Sequence, residues 1–178
     1  MEFQSKSEVR QYVKSQKPAI LPLMGVLKHL SQFLDHQTGF WAAYKSLADE
    51  PAIEGCLGAG IQWFYPRLDS GSLKFVKPQA WRVSDLKFHE PMDGTVMEVE
   101  KLNGFLIPGQ AFSKAGVRVG RGKGFYDRAL KKAKGLKVGI CYSYQIFSEL
   151  PVEDHDVLMD VLVSDQGITW LKRERLGD

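Results

Sequence analysis

Glycines alternate with cations at residues 120–124, which read Gly-Arg-Gly-Lys-Gly, and an aromatic pair and Asp127 follow. Glycine lets backbone N–H groups approach an anion closely, and successive inward N–H groups form an anion site. Arg121 and Lys123 add positive charge to that site. The segment therefore predicts a phosphate-binding loop, which we call the glycine loop. The alternative is a flexible turn with solvated cations.

The glycine loop lies in the most basic part of the chain. Residues 114–137 contain nine basic side chains and one acid, a net charge of +8, while the whole chain carries only +3. A local basic field on an acidic remainder indicates an anionic ligand at one place. Some of these cations have a simpler interpretation as a solvated helix face, namely Lys131, Lys132 and Lys134.

Two common nucleotide motifs do not fit this segment. A Walker loop requires Gly, four residues and then Gly-Lys-Ser/Thr, but Lys123 is followed by Gly124, and Val117 stands five residues before Gly122. The dinucleotide fingerprint fails as well, because Phe125 occupies the position of its last glycine. The loop is therefore of another kind. An acid such as Asp127, beside bound phosphates, could also hold Mg²⁺.

The elements that position these residues follow from apolar periodicity. Ser5 and Glu8 have the spacing of a capping box, which predicts a helix over 5–14 with Lys6 and Arg10 on one face. An anion between these two cations would relieve their repulsion, and solvated cations are the alternative. Further helices are predicted at 23–34 and 125–134, and strands at 40–44, 61–65, 72–76, 104–107, 138–142 and 161–163.

Strands thus alternate with helices along much of the chain. This order predicts an α/β fold of three layers, a mainly parallel twisted sheet with helices on both faces, similar to the Rossmann arrangement. Ligands bind such sheets beyond the carboxyl ends of the strands. Residues 77–103 have little periodicity and are predicted to form a long excursion. Residues 1–178 are predicted to form a single domain.

Composition and the first residues of the chain argue against a membrane or secreted protein. No apolar run approaches the roughly 20 residues that a membrane helix needs, and the first residues lack the apolar core of a secretory signal. Cys56 and Cys141 have no C-x-x-C spacing and are predicted to be buried and reduced. We therefore expect a cytoplasmic protein without membrane or nucleic-acid partners, and a monomer, because no long apolar stripe is left unaccounted for.

The glycine loop and its surroundings resemble the 5-formyltetrahydrofolate cyclo-ligase (5,10-methenyltetrahydrofolate synthetase) family. The matching blocks occur in the family's order over most of the chain, at 6–10, 46–50, 64–66, 89–91, 106–112, 118–127, 150–153, 155–156 and 160–161. The chain departs from the family pattern on the substrate side, at Lys45, Pro51, Gln110 and Ser113.

The resemblance implies ATP- and Mg²⁺-dependent cyclisation of 5-formyltetrahydrofolate to 5,10-methenyltetrahydrofolate, with release of ADP and phosphate through a phosphorylated formyl intermediate. By match to the family, the helix over 5–14 contributes to the ATP site. The residues assigned to ATP are Lys6, Arg10, Arg118, Val119, Gly120, Arg121, Gly122, Lys123, Gly124, Phe125 and Tyr126. Those assigned to the folate are Lys45, Glu50, Arg121, Gly122, Lys123, Gly124 and Phe125.

Within these sets, Arg121 and Lys123 are the predicted catalytic cations, which would stabilise charge during phosphoryl transfer. Asp127 and Asp160 are the predicted Mg²⁺ ligands, and ATP is a co-substrate. The cations of 131–137 further predict a preference for polyglutamylated folates. The residues alone leave alternatives open: a solvated turn residue for Glu50, which the turn by itself favours, core side chains for Phe125 and Tyr126, and the start of a turn for Asp160.

Two other functions remain open at this point. One is a folate- or nucleotide-binding paralogue that has lost turnover, which the retained Arg121, Lys123, Asp127 and Asp160 argue against. The other is an RNA-binding module that uses the basic segment 114–137. That segment lacks a recognition motif and an aromatic stacking platform, so the sequence favours the enzyme.

Overall fold

The computed structural model describes residues 2–171. Its α-helices are α1 (Lys6–Gln16), α2 (Leu23–Leu34) and α3 (Phe125–Leu130). Its strands are β1 (Gly39–Ala42), β2 (Ile61–Asp69), β3 (Ser72–Val83), β4 (His89–Met97), β5 (Gly104–Pro108), β6 (Ala111–Ser113), β7 (Arg118–Val119), β8 (Leu136–Ile140), β9 (Ile146–Phe147), β10 (Val161–Ser164) and β11 (Gly167–Trp170). Short 3₁₀ helices occupy Glu54–Cys56, Val99–Lys101 and Ser143–Gln145.

The main sheet has eight strands in the order β11-β10-β8-β5-β1-β2-β3-β4. Its central strands, from β10 to β2, are parallel, whereas β11 and the β3–β4 hairpin add antiparallel pairs at the two edges. Ile140 is in register with Pro108 of β5 and with Val163 of β10, so these strands end at one edge. The predicted α/β fold is confirmed, with mixed edges.

Helices cover both faces of this sheet because side chains alternate along its strands. Leu106 of β5 packs in the cluster that contains α2 residues, together with Val138 of β8. Its neighbours Phe105 and Ile107 pack in a second cluster with Leu130 of α3. The three layers of the sequence prediction are therefore present, and the carboxyl ends of the strands remain accessible at the edge between them.

Helix α1 packs on a second, three-stranded sheet with the order β7-β6-β9. The helix begins after Ser5, whose Oγ accepts a hydrogen bond from the Glu8 N–H at 3.3 Å, and the Glu8 carboxylate accepts one from the Gln4 N–H at 2.8 Å. These bonds confirm the predicted helix start. Buried Val9 and Val13 pack against apolar residues of β6 and β7, which fixes α1 beside the segment that leads into the glycine loop.

The predicted excursion at 77–103 is wrong. β3 continues to Val83, and β4 returns antiparallel to it from His89. The register shifts between Pro78 and Trp81, and much of the hairpin is exposed, so its strands lack a regular apolar pattern.

The predicted end of the third helix is also wrong, because α3 ends at Leu130. The chain must turn tightly into β8 at Gly135, where an added Cβ would lie 2.4 Å from the Leu102 carbonyl oxygen.

Both cysteines are free thiols, but only Cys141 is buried, while Cys56 is partly exposed. The prediction of burial therefore holds for one of the two. Desolvation raises the pKa of both thiols, and the Asp165 charge adds to the effect at Cys141, so neither is an activated nucleophile. Over residues 2–171, none of the helices combines the length and the apolar character that crossing a membrane requires.

Candidate active site

The glycine loop joins β7 to α3 at the carboxyl edge of the main sheet. The Gln110 N–H donates to the Val119 carbonyl at 2.8 Å, which places the loop beside the turn that follows β5. Gly122 and Gly124 have φ values of 91° and 63°, in the left-handed region where side chains are strained. These two glycines are therefore required by the path of the backbone, which turns sharply before α3.

Arg118 forms the floor beneath the loop. Its side chain is 6% exposed, its Nη1 donates to the Pro108 carbonyl at 3.2 Å, and its Nη2 donates to Asp127 Oδ2 at 3.3 Å. Its guanidinium lies over the Tyr126 ring, 5.2 Å from the centroid. Its Nε is buried and has no hydrogen-bond partner among the described residues. A Cβ at Gly120 would lie 2.7 Å from Nη1, so this glycine makes room for the cation.

Helix α1 brings one of its two predicted cations to the loop. Arg10 Nε donates to the Gly120 carbonyl at 2.7 Å, which leaves the rest of its guanidinium beside the loop. Lys6 instead donates to Glu153 at 3.1 Å and to Asp156, whose side chain is buried. The structure thus places Arg10 at the proposed phosphate site. The Lys6 ammonium is paired with two carboxylates instead.

The loop also contacts the turn that carries Glu50. Arg121 donates to the Asp49 carboxylate, and its Nε and Nη2 lie 3.4 and 3.3 Å from Glu50 Oε1. The other Glu50 oxygen accepts from the Leu47 N–H at 3.0 Å, and the side chain is only 7% exposed. Glu50 is therefore not a solvated turn residue. Arg121, predicted for both substrates, thus meets Glu50, predicted for the folate alone.

The two carboxyl groups in this turn differ in their electrostatics. Burial raises the pKa of Glu50, and the Leu47 N–H and the Arg121 charge only partly oppose it. Partial burial acts in the same direction on Asp49, but hydrogen bonds from Gln110 and Arg121 outweigh it and lower the pKa of Asp49. The surroundings therefore stabilise the ionised form of Asp49, whereas they make the ionised form of Glu50 less favourable.

Two phenols lie beside Glu50. Burial and then the Glu50 charge raise the pKa of Tyr126, and the same two causes, joined by Tyr126, raise the pKa of Tyr44. The Tyr44 hydroxyl donates to the Pro51 carbonyl at 2.9 Å. Sequence reasoning did not select Tyr44, although it ends the apolar run of the first predicted strand. Both phenols stay neutral and give Glu50 aromatic, poorly solvated surroundings.

A cleft of about 330 Å³ opens beside these groups. The end of α1 forms one wall, and Asp49, Gln110, Arg121 and Tyr144 form much of the rest. Loop, helix and turn come together at the carboxyl edge of the sheet, where the sequence predicts ligand binding. Lys123 projects from the loop as an exposed side chain, so it is free of core packing.

Lys45, the predicted folate residue after β1, lies on an aromatic pair. Its Nζ is 4.9 Å from the Trp81 ring centre and 6.0 Å from that of Tyr65, and the two rings meet edge to face with centroids 4.9 Å apart. Burial and then the Glu54 charge raise the pKa of Tyr65 to about 12, so it stays neutral. Trp81 was missed because it lies in the segment predicted as an excursion.

The two predicted magnesium ligands are held by different parts of the sheet. Asp127 contacts Arg118, which is bonded to Pro108 at the carboxyl end of β5. Asp160 accepts from the Lys137 N–H at 2.8 Å, near the amino end of β8. Ile140 of β8 is in register with Pro108. It lies three positions after Lys137, or roughly 10 Å along the strand. The structure therefore does not bring the two carboxylates together: Asp127 lies beside the loop and is paired with Arg118, whereas Asp160 is held by Lys137.

Comparison with known proteins decides the family. A sequence profile described as the 5-formyltetrahydrofolate cyclo-ligase family matches residues 44–165. The chain belongs to this family. It is 34% identical over 129 residues to the 5-formyltetrahydrofolate cyclo-ligase of Escherichia coli (strain K12), covering 66% of this chain and 71% of the relative. The Saccharomyces cerevisiae cyclo-ligase is 38% identical over 113 residues, 57% of this chain and 51% of the relative.

Solved structures agree with the family. The 5,10-methenyltetrahydrofolate synthetase of Aquifex aeolicus superposes with a TM-score of 0.80 and 26% identity, covering 97% of this chain and 96% of that one. The Mycoplasma pneumoniae synthetase, with a TM-score of 0.75, 23% identity and coverage of 91% and 99%, shares the fold. As a member of this family the chain is an enzyme that acts on a small-molecule substrate. The profile begins after α1, so roles for Lys6 and Arg10 rest on their contacts and the motif.

Proposed function

We propose that the chain cyclises 5-formyltetrahydrofolate to 5,10-methenyltetrahydrofolate with consumption of ATP and release of ADP and phosphate. One observation carries this proposal: Arg121 of the glycine loop contacts Glu50, so the residues proposed to bind phosphate and those proposed to bind folate adjoin. A nucleotide binder alone has no need of a buried carboxylate beside its phosphate loop. An enzyme whose two substrates react with each other needs the phosphate loop and the carboxylate side by side.

The chemistry explains why such a cleft is required. The formyl oxygen on N5 is a poor leaving group, so it attacks the γ-phosphorus of ATP and ADP leaves. The N10 lone pair then attacks the activated formyl carbon, the carbon–oxygen bond breaks with departure of phosphate, and the N10 proton passes to solvent. Phosphoryl transfer of this kind depends on positioning and on neutralising charge rather than on covalent catalysis by the protein.

The chain's own groups divide this work. Arg10, Arg118 and the backbone N–H groups of the glycine loop would bind the phosphates, and Arg121 and Lys123 would neutralise charge that develops during transfer. An anion near Arg118 would meet a buried guanidinium with an unpaired N–H, which favours phosphate there. In the proposal the ATP site also includes the remaining residues of the motif, namely Lys6, Val119, Gly120, Gly122, Gly124, Phe125 and Tyr126.

Glu50 is proposed to accept hydrogen bonds from N–H groups of the folate, and Lys45 with its aromatic pair to contact the same substrate. The raised pKa of Glu50 shows that its charge is incompletely solvated, so donors from a substrate would stabilise it. Phe125 begins α3 beside the loop and lies under the Arg128 guanidinium, 5.4 Å from ring to cation. We place it at the junction of the two substrates.

Magnesium is proposed to bind at Asp127, where a hard carboxylate oxygen lies next to the loop. Asp127 would hold the ion, which would neutralise part of the phosphate charge. Asp160 remains the second predicted ligand, and it would have to exchange its hydrogen bond from Lys137 for the ion. The monomeric state, the cytoplasmic location and the lack of membrane or nucleic-acid partners remain predictions.

The test follows the absorbance of the methenyl product from 5-formyltetrahydrofolate with and without Mg-ATP. We expect product only when both ATP and Mg²⁺ are present, and a Lys123→Ala variant should be slow. No product, with tight Mg-ATP binding by calorimetry, would favour the paralogue that has lost turnover. Retention of RNA at physiological salt would instead support the RNA-binding alternative.

A further inference from the structure

Four polar side chains link the floor of the cleft to the glycine loop. Gln145 is 2% exposed and donates through Nε2 to the carbonyls of Gly109 and Gln110, each at 3.0 Å. Gln110 Nε2 in turn donates to Asp49 Oδ2 at 3.0 Å. The other oxygen of Asp49 accepts from Arg121 Nη2. The network therefore runs from the buried amide of Gln145, through the partly buried carboxylate of Asp49, to the predicted catalytic cation Arg121.

Arg121 has a second acceptor in Glu50, but the two acceptors are not equivalent. Its contacts to Glu50 are 3.3 and 3.4 Å, at the long end of the hydrogen-bond range. Glu50 is also the carboxylate proposed to accept from the folate, so substrate and Arg121 compete for its oxygens. Asp49 is not proposed to touch either substrate. Hydrogen bonds from Gln110 and Arg121 lower its pKa, which keeps it ionised.

We propose that Asp49, oriented by Gln110, is the positioning residue that holds Arg121 across the cleft while Glu50 binds the folate. The inference rests on the proposed function. It accounts for the polar Gln110 in a turn where the family pattern has an apolar residue, because an apolar side chain could not orient Asp49. Arg121 then keeps one anchor in the substrate complex and remains pointed at the phosphates.

The test compares wild type with Asp49→Asn, Gln110→Leu and the double variant, and Asp85→Asn on the exposed hairpin turn is the matched control. We expect Asp49→Asn to lower kcat by roughly ten- to a hundredfold, because a displaced cation loses its alignment. KM for the folate should rise as well, since Arg121 then competes for Glu50. Gln110→Leu should act in the same direction with a smaller effect, and the double variant should match Asp49→Asn.

A second measurement does not depend on turnover. Trypsin cleaves after arginine, and Arg121 is held by its carboxylates in a loop that is otherwise accessible. Cleavage after residue 121, identified by fragment mass, should be several times faster in Asp49→Asn than in wild type and in Asp85→Asn. The difference should widen when 5-formyltetrahydrofolate occupies Glu50. Urea unfolding of each variant separates this local release from a loss of fold.

The outcomes distinguish the two proposals. If wild type forms no methenyl product, the proposed function fails, yet faster cleavage in Asp49→Asn still supports the anchoring of Arg121. If wild type is active and Asp49→Asn matches it in kcat, folate KM and cleavage rate, the positioning role is overturned. Full multiplication of the two single effects in the double variant would also overturn it, because residues in one linked network are not independent.

Discussion

The space around Gly120 gives the sharpest prediction. In a Gly120→Ala variant, the added Cβ would lie 2.7 Å from Arg118 Nη1, where ordinary contact begins at 3.4 Å. The guanidinium must therefore move by about 0.7 Å. It cannot swing into solvent, because the side chain is buried and bonded to Pro108 and Asp127 at 3.2 and 3.3 Å. Because these two bonds hold the guanidinium in place, a shift of that size weakens them.

Each charge-assisted hydrogen bond of this kind contributes about 1.5–3 kcal/mol, so weakening the two without losing either completely should cost Gly120→Ala about 2 kcal/mol of unfolding free energy. The same displacement moves a proposed phosphate ligand, and Mg-ATP should bind about tenfold more weakly, which corresponds to about 1.4 kcal/mol. Urea titration measures the first quantity, and isothermal calorimetry measures the second.

Two other glycines provide matched controls. An added Cβ at Gly58 or Gly60 meets no described atom within 4 Å, so alanine there should leave both stability and ATP affinity close to wild type. If Gly120→Ala behaves like these controls, the Arg118 guanidinium is not confined as the structure indicates, and its role beneath the phosphate site must be abandoned. If stability falls and ATP affinity does not, Arg118 is a structural cation only.

Three further predictions test other parts of the site. Lys123→Ala should lower kcat about a hundredfold with unchanged urea unfolding, since the side chain is exposed; activity within a few-fold of wild type would refute its role. Burial raises the pKa of Glu50 above 4.5, so its ionisation destabilises the fold. As pH rises past 4.5, the unfolding free energy of Glu50→Gln should therefore increase relative to that of wild type. A decrease in this difference over the same pH range would contradict the prediction. Replacing Lys131, Lys132 and Lys134 by Gln should raise KM for polyglutamylated folate alone; equal KM values for mono- and polyglutamate in wild type would end that idea.

Local signals in the sequence were sufficient for the parts of the fold that depend on neighbouring residues. The capping pair Ser5 and Glu8 and the apolar periodicity of 23–34 gave α1 and α2, and apolar runs located the central strands. The motif around the glycine loop indicated the family, and the alternation of strands and helices predicted ligand binding at the carboxyl edge of the sheet. In each case the information lies within one or two turns of chain, where spacing reports directly on structure.

The missed features depend on pairing over long distances. Arg121 and Asp49 are 72 residues apart, and nothing in either segment indicates that they meet. The strands of the small sheet are too short to show alternation, and the hairpin with Trp81 lies too far outside the core to carry an apolar pattern. The sequence identified the side chains of the candidate site, and the tertiary structure adds which residues each of them contacts.

These tertiary contacts change how the basic segment 114–137 is interpreted. Its net charge of +8 is the sum over neighbouring residues, but Arg118, Arg121 and Lys137 are each paired with an acid in the fold. Three of the acids that pair with them lie outside the segment, namely Asp49, Glu50 and Asp160. The remaining cations are spread over the turn after β6, the glycine loop, α3 and the exposed turn after α3, so the count alone does not describe the continuous positive surface that non-specific nucleic-acid binding uses. Cations that are held by partners around one cleft favour a small anion of defined shape over a long polyanion, which supports the proposed binding of a triphosphate beside a folate.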